Sequence, residues 1–250
     1  MLKSIQVDLH IHTCLSPCAT LDMTPQKIVK ESLKKNLSII AITDHNSAQN
    51  VDAVIRVARN SDLYVIPGIE VTTSEEAHVI ALFETVEAAI SMQNIIFDHL
   101  LPGENDENLF GMQVIANEFD EVEGFNNRLL IGSTTLNINR VVSSIHQYGG
   151  LAIASHIDRE SFSIIGQLGF IPEDLECDAL EISRRMKLHE ARIKFREYKN
   201  YSFIVSSDAH DLVDIGVCST SFFLEHATFD EIRKAIEARD GRMILDDLRD

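Results

Sequence analysis

Histidines and acids at the ends of apolar runs are the residues of this chain best suited to chemistry. His10 and His12 stand one residue apart where the run beginning at Ile5 ends. In a strand, residues i and i+2 point the same way, so both imidazoles aim into one space and suit a divalent metal. His-x-His also occurs on half-buried strands that hold no metal, so the pair takes its meaning from what accompanies it. His45 follows Asp44 after the run Ser38 to Thr43, Glu70 lies near the close of Leu63 to Val71, and His78 opens the next run. His156 follows Leu151 to Ser155, and Asp208 and His210 repeat the i, i+2 spacing after Ser202 to Ser206. Singly each has an ordinary reading: His45 as a helix-entry residue capped by Asp44, Glu70 as a solvated strand end, His78 and His156 as structural histidines. Gathered without compensating basic residues, eight such donors would repel or go unsatisfied unless cations held them. Their joint reading is a multi-metal site.

The elements between them alternate. Thr24-Pro25 reads as an N-cap followed by proline at the first helical position, opening a helix that ends near Asn36. Further helices are expected over Val51 to Arg59, Val86 to Leu100, Asn137 to Tyr148, near Phe162 to Leu168, over Lys187 to Tyr198 and over Phe229 to Ala238 behind Thr228. Strands are expected at Ala179 to Ser183 and Ser221 to Leu224 besides those already named. Thr72 to Ala77 is too short for a helix, so the strands it joins form an antiparallel hairpin that sets His78 beside Glu70. Repeated strand–helix alternation implies an α/β fold with a mainly parallel sheet, and polar residues at strand C-terminal ends favour a closed barrel of about seven strands. Residues 102–131 carry weak periodicity and many acidic and Asn residues. They read as an insertion or lid within a single domain spanning 1–250, too small for a core of its own.

Composition narrows the classes. A hydrophobic fraction of 45% with near-zero mean hydropathy describes an ordinary globular protein. Neither a signal-peptide pattern nor a run long enough to span a bilayer is present, and four cysteines in 250 residues do not make a disulfide framework. The expectation is a reduced, cytoplasmic setting with no membrane partner; the oligomeric state is left open. A net charge of −17 argues against a grip on duplex nucleic acid, while part of the acidity can surround bound cations. His99, His146, His189 and His226 fall within or beside helices and read as structural, and Gly149-Gly150 as a helix stop.

In order and context, His10-Ile-His12, Thr43-Asp44-His45, Gly68-Ile69-Glu70, His78, His156 and Ser207-Asp208-Ala209-His210 resemble the PHP (polymerase and histidinol phosphatase) family. The resemblance implies a distorted (β/α)₇ barrel, two or three divalent ions and phosphoesterase activity. It implies that His10, His12, Glu70 and Asp208 hold one ion, that Glu70, His78 and His156 hold a second, and that His45 and His210 contribute to a third. The family usually supplies an Asp or His to the third site five or six residues after His-x-His, where this chain has Pro17 and Cys18. Either the Cys18 thiolate substitutes or the third site is empty. Mixed imidazole and carboxylate ligands favour zinc, manganese or iron over calcium, with magnesium less favoured. Two ions roughly 3.5–4 Å apart can share a water and present bridging hydroxide in line with phosphorus. Leaving-group protonation then comes from water on a third ion or from Asp44. Arg159 and Arg184 are candidates to grip phosphate through their guanidinium forks. The expected function is a phosphatase-type hydrolase of a small phosphomonoester or nucleotide. Two alternatives stand beside it. One is an amidohydrolase-type C–N hydrolase, disfavoured because no mid-barrel lysine occupies the bridging place of Glu70. The other is a non-catalytic accessory metal domain.

Overall fold

The computed structural model describes residues 1–245. Its strands are β1 (Lys3–Ile11), β2 (Ile39–Ile42), β3 (Tyr64–Thr72), β4 (His78–Leu82), β5 (Val114–Ala116), β6 (Val122–Phe125), β7 (Leu151–Ala154), β8 (Ala179–Ile182), β9 (Ser202–Val205), β10 (Thr220–Leu224) and β11 (Met243–Ile244). The helices are α1 (Pro25–Lys34), α2 (Val51–Ala58), α3 (Val86–His99), α4 (Glu107–Phe110), α5 (Ile138–Gln147), α6 (Ile164–Leu168), α7 (Leu188–Lys194) and α8 (Phe229–Ile236).

Nine strands form one sheet in the order β11-β10-β1-β2-β3-β4-β7-β8-β9. The chain beyond β9 returns to β1, where Ala209 bridges Ile11 in parallel. His12 N–H donates to Ala209 O at 3.0 Å, and Ala209 N–H to His10 O at 3.3 Å. Lower on the same seam, Thr220 Oγ1 of β10 accepts from Val205 N–H at 2.8 Å and donates to Val205 O at 2.7 Å. Seven strands from β1 to β9 thus curl into a nearly closed barrel, with β10 laid antiparallel along the first half of β1. Only β4 runs against its neighbours in that ring. It does so because its connection to β3 is a tight turn, and the register pairs Thr72 with His78 and Glu70 with Ile80 on one face.

β1 carries an irregularity that decides where its histidines look. Asp8 pairs with Ile40 but Ile11 with Ile42, so β1 spends one residue more than β2 between the two pairs. Below this bulge, Ile5, Val7 and Leu9 fill the barrel interior with Ile39, Ala41, Ile66 and Ile153. Above it, Ile11 packs outward against Met23, Leu37 and Ile40, leaving His10 and His12 to face inward. An unbroken alternation would have put the histidines opposite Leu9, outside the barrel.

Helix positions follow local signals. Thr85, Asn137, Ser163 and Thr228 each accept a backbone N–H through their side chains at the starts of α3, α5, α6 and α8. Phe229, Ile232 and Ile236 of α8 pack against the inner cluster. The segment expected as one helix over Lys187 to Tyr198 divides into α7 and a 3₁₀ turn at Arg196–Tyr198, because Phe195 turns into the core between them. β11 was not anticipated, being two residues long and without a readable period. β5 and β6 pair only with each other. Asn50 fastens them at both polar atoms, donating to Val114 O and accepting from Ala116 N–H, each at 3.0 Å. Asn46 donates to Leu130 O and Gly132 O at 2.8 Å. Among the described residues no helix is long and apolar enough to cross a membrane.

Candidate metal centre

Glu70, near the end of β3, lies at the middle of five imidazoles. Its Oε1 is 3.0 Å from His78 Nδ1, 3.3 Å from His156 Nε2 and 3.3 Å from His10 Nε2. Its Oε2 is 3.1 Å from His45 Nδ1 and 3.4 Å from His12 Nε2. Asp208 closes the near side, with Oδ1 3.2 Å from His10 Nε2, 3.3 Å from His12 Nε2 and 3.6 Å from His210 Nδ1. All of these but Asp208 and His210 are buried, so solvent cannot satisfy their polar atoms. Two sit in left-handed backbone, His156 at φ +29° and Asp208 at φ +50°. Such conformations cost a non-glycine residue about 1–3 kcal/mol and persist where the surroundings enforce them.

Behind this ring, hydrogen bonds fix which nitrogen each histidine offers. Nδ1–H of His10 donates to Glu181 at 3.0 Å, and Glu181 also accepts from His156 N–H at 3.1 Å. Ser16 Oγ–H donates to Asp44 Oδ1 at 2.6 Å, so its oxygen accepts Nδ1–H of His12 at 2.9 Å. Both Nε2 atoms are therefore bare, and they stand 3.1 Å apart. Two bare nitrogens and two carboxylates around one space cannot satisfy one another; a cation, or extra protons, must. His156 Nδ1 is buried without a hydrogen bond, and buried His45 Nδ1 faces Glu70 Oε2. Among the described residues, three groups have ligand atoms within 4.8 Å of one another: His10, His12 and Asp208; His45, Glu70 and His78; and His12, His45 and His210. The donor set fits divalent metal.

Electrostatics agree. Burial would raise the Glu70 carboxyl, but the imidazoles of His78 and His10 beside it hold it well below the usual range. Burial also opposes Asp208, which His10 and His12 hold well below its ordinary value. Burial lowers His12, reinforced by the charges of His210 and His45. Cys18 is exposed at the mouth with its thiol turned to His45 and His210. Burial of the sulfur alone would raise it, yet the charge of His45 and hydrogen bonding to both histidines bring it down to about 6.

The eight metal-site candidates come together. Arg159 joins them through a 2.5 Å bond from Nη2 to Asp208 Oδ2, with its Nε buried and unpartnered. Arg184 does not: it pairs at 2.5 Å with Asp214, and Arg185 instead lines the cleft beside Arg159. Asp44 is adjacent but committed, its Oδ1 taken by Thr13 N–H and Ser16 and its Oδ2 by the Thr13 hydroxyl. Sequence reasoning passed over Glu181. The signal was a carboxylate inside the apolar run Ala179-Leu-Glu-Ile182, where an unpaired charge is not tolerated. Ser16, in an aperiodic loop, left no such mark.

The PHP domain profile matches residues 8–167, and a PHP-associated profile matches 189–240. No curated protein matches the chain. Among solved structures, the lesion-specific endonuclease Q of Pyrococcus furiosus superposes with a TM-score of 0.75 at 17% identity, over 97% of this chain and 58% of its own. Endonuclease Q with a 27-mer duplex carrying an abasic lesion at the active site gives 0.72 at 17% identity, over 97% and 59%. A provisionally named metal-dependent phosphoesterase from Bifidobacterium adolescentis gives 0.58 at 16%, over 93% and 96%. At these identities the likeness establishes fold, and this chain spans less than two thirds of endonuclease Q. One expectation is overturned: acidity does not exclude duplex nucleic acid, since endonuclease Q holds a duplex with the same fold. Net charge averages over a whole surface, whereas binding depends on the local field beside the site. Family match and donor set together support a metal-dependent hydrolase.

Proposed function

The chain belongs to the PHP domain family, and from that premise we propose that it is a metal-dependent phosphoesterase acting on a small phosphomonoester or nucleotide-type phosphate. The observation that carries this reading is Glu70, whose two oxygens lie within 3.4 Å of five histidine nitrogens. His10, His12, Glu70 and Asp208 would hold one divalent ion, Glu70, His78 and His156 a second, and His45 and His210 would contribute to a third. When bound, such ions supply Lewis-acid charge to phosphoryl oxygens and acidify water.

The chain's own residues do the rest. Glu181 keeps His10 in the tautomer that presents Nε2, and the Asp44–Ser16 pair does the same for His12. Asp44 is thus a positioning residue, with no oxygen left to donate a proton to a leaving group. That proton comes from water in the open mouth. Arg159, held over Asp208 through Nη2, offers its remaining guanidinium donors to a phosphate oxygen. Water oxygen attacks phosphorus, the phosphorus–oxygen bond to the leaving group breaks, and no covalent enzyme intermediate is required.

Metal analysis of the purified protein, alongside turnover of an aryl phosphate monoester and a bis-aryl diester with manganese, zinc and magnesium, tests the reading. Turnover with at least one metal is expected, and Glu70→Ala should lose both bound metal and activity. A metal-loaded protein inert toward every phosphoester would overturn the proposal; a Glu70→Ala variant retaining both would remove Glu70 from the bridge.

A further inference from the structure

Positive charge is concentrated in one short stretch of this acidic chain. Seven of its 22 lysines and arginines fall within residues 184–199, against two acids, although the whole chain carries 39 acids. A charge run on a helix is ordinarily a solvated face, and part of this one is spoken for. Arg184 pairs with Asp214, and Arg192 binds the carbonyls of Lys199 and Tyr201 over the Phe203 ring. Arg185 and Lys187 are different: both are exposed at the open side of the barrel end. Arg185 and Met186 line two clefts at once. One, of about 660 Å³, includes Arg159 and Phe162 and so borders the metal centre, Arg159 pairing with Asp208 and Phe162 stacking on His78. The other, of about 850 Å³, runs away from it past Lys187 and His189. Acidic groups in the clefts are Glu160, Glu190, whose carboxylate accepts Lys187 N–H, and Asp158, whose oxygens are occupied by Ser183.

Phe162 supplies the second observation. Its ring is 45% exposed and stacks on His78 with centroids 4.9 Å apart and planes inclined by 22°. It is held there in left-handed backbone at φ +58°, its carbonyl accepting His78 N–H at 2.9 Å. An apolar ring kept in strained backbone, one face on a candidate ligand and the other toward the cleft, is a platform for another flat group. A basic groove leading past an exposed aromatic is how single strands are held, phosphates on cations and unpaired bases on rings.

We propose that this groove binds a single-stranded nucleic acid, with phosphates on Arg185 and Lys187 and an unpaired base stacked on Phe162, bringing a phosphoester to the metal centre. The last clause rests on the phosphoesterase reading; the binding does not. Fluorescence anisotropy of a short labelled oligothymidylate with the full chain as purified tests it, with strand integrity followed on a gel in the same samples. Affinity should fall with salt at a log–log slope of about −1.4, as for two neutralised phosphates on a single strand. Arg185→Glu/Lys187→Glu should weaken binding at least tenfold and flatten that slope, with unchanged thermal unfolding. The chain has no tryptophan, so Phe162→Trp creates a lone tryptophan at the platform, and its emission, excited selectively beyond the four tyrosines, should be quenched by the strand. Equal affinity for polyglutamate or anionic vesicles, tighter binding of a duplex, or a double variant that binds normally would each overturn the groove. A strand bound but uncut, with no phosphoester turned over, would sink the phosphoesterase reading and leave the groove standing; turnover of aryl phosphate without strand binding would do the reverse.

Discussion

Glu181 shows how much of the metal centre depends on residues one layer back. Its carboxylate is 1% exposed and reaches both His10 Nδ1 and His156 N–H, so a single group orients donors from two different strand ends. Partners of this kind typically contribute 10–100-fold, roughly, in metal affinity. Glu181→Gln should therefore weaken metal binding by about that factor while preserving the fold, read by titration against a competing chelator and by circular dichroism; an unchanged affinity would make Glu181 a packing residue. Glu181 was legible in the sequence as a charge in an apolar strand. Its partner was not, because His10 and Glu181 are 171 residues apart and meet only through barrel closure.

At the scale of elements, Gly149 and Gly150 read alike in the sequence as a helix stop, and the structure separates them. Gly149 has φ +69° with open space where a Cβ would go. Gly150 has no such space: a Cβ would stand 2.7 Å from Ile145 Cγ2, 2.7 Å from Phe83 Cε1 and 2.8 Å from Leu82 O. Overpacking of this kind costs about 1–3 kcal/mol, whereas a residue in left-handed backbone costs roughly 1–2. Gly150→Ala should lower the denaturant midpoint more than Gly149→Ala; the reverse order would mean that backbone conformation, not contact, governs both. The hairpin of β3 and β4 was predictable because a five-residue connection cannot hold a crossover helix. The bulge in β1 was not, since an extra residue in one strand shows only against its partner's register.

Across the whole molecule the net charge is negative, and Glu225 gathers positive groups from far apart in the sequence, with the Met1 amine 2.6 Å from its Oε1. Arg242 Nη2 lies 3.0 Å from Glu225 and 2.9 Å from Glu231. Hydrogen bonding from Arg242 pulls the Glu231 carboxyl down to about 2, against the opposing effect of burial. A carboxyl depressed in the folded state stabilises the protein above its ordinary pKa, and that contribution is lost as pH falls from about 4.5 toward 2. Thermal unfolding of wild type should therefore decline more steeply across that window than in Glu231→Gln; parallel curves would show that the pair contributes nothing. By itself the sequence determined the alternating α/β elements, the histidines and acids at strand ends and the barrel they imply, because periodicity and burial of polar groups are local properties. Only the tertiary structure decided that a bulge turns His10 and His12 inward, that Arg159 rather than Arg184 reaches the centre, and that Asp44 is occupied by Thr13 and Ser16. Each of these depends on which distant strand ends arrive in the same few ångströms, and spacing along a chain carries no record of that.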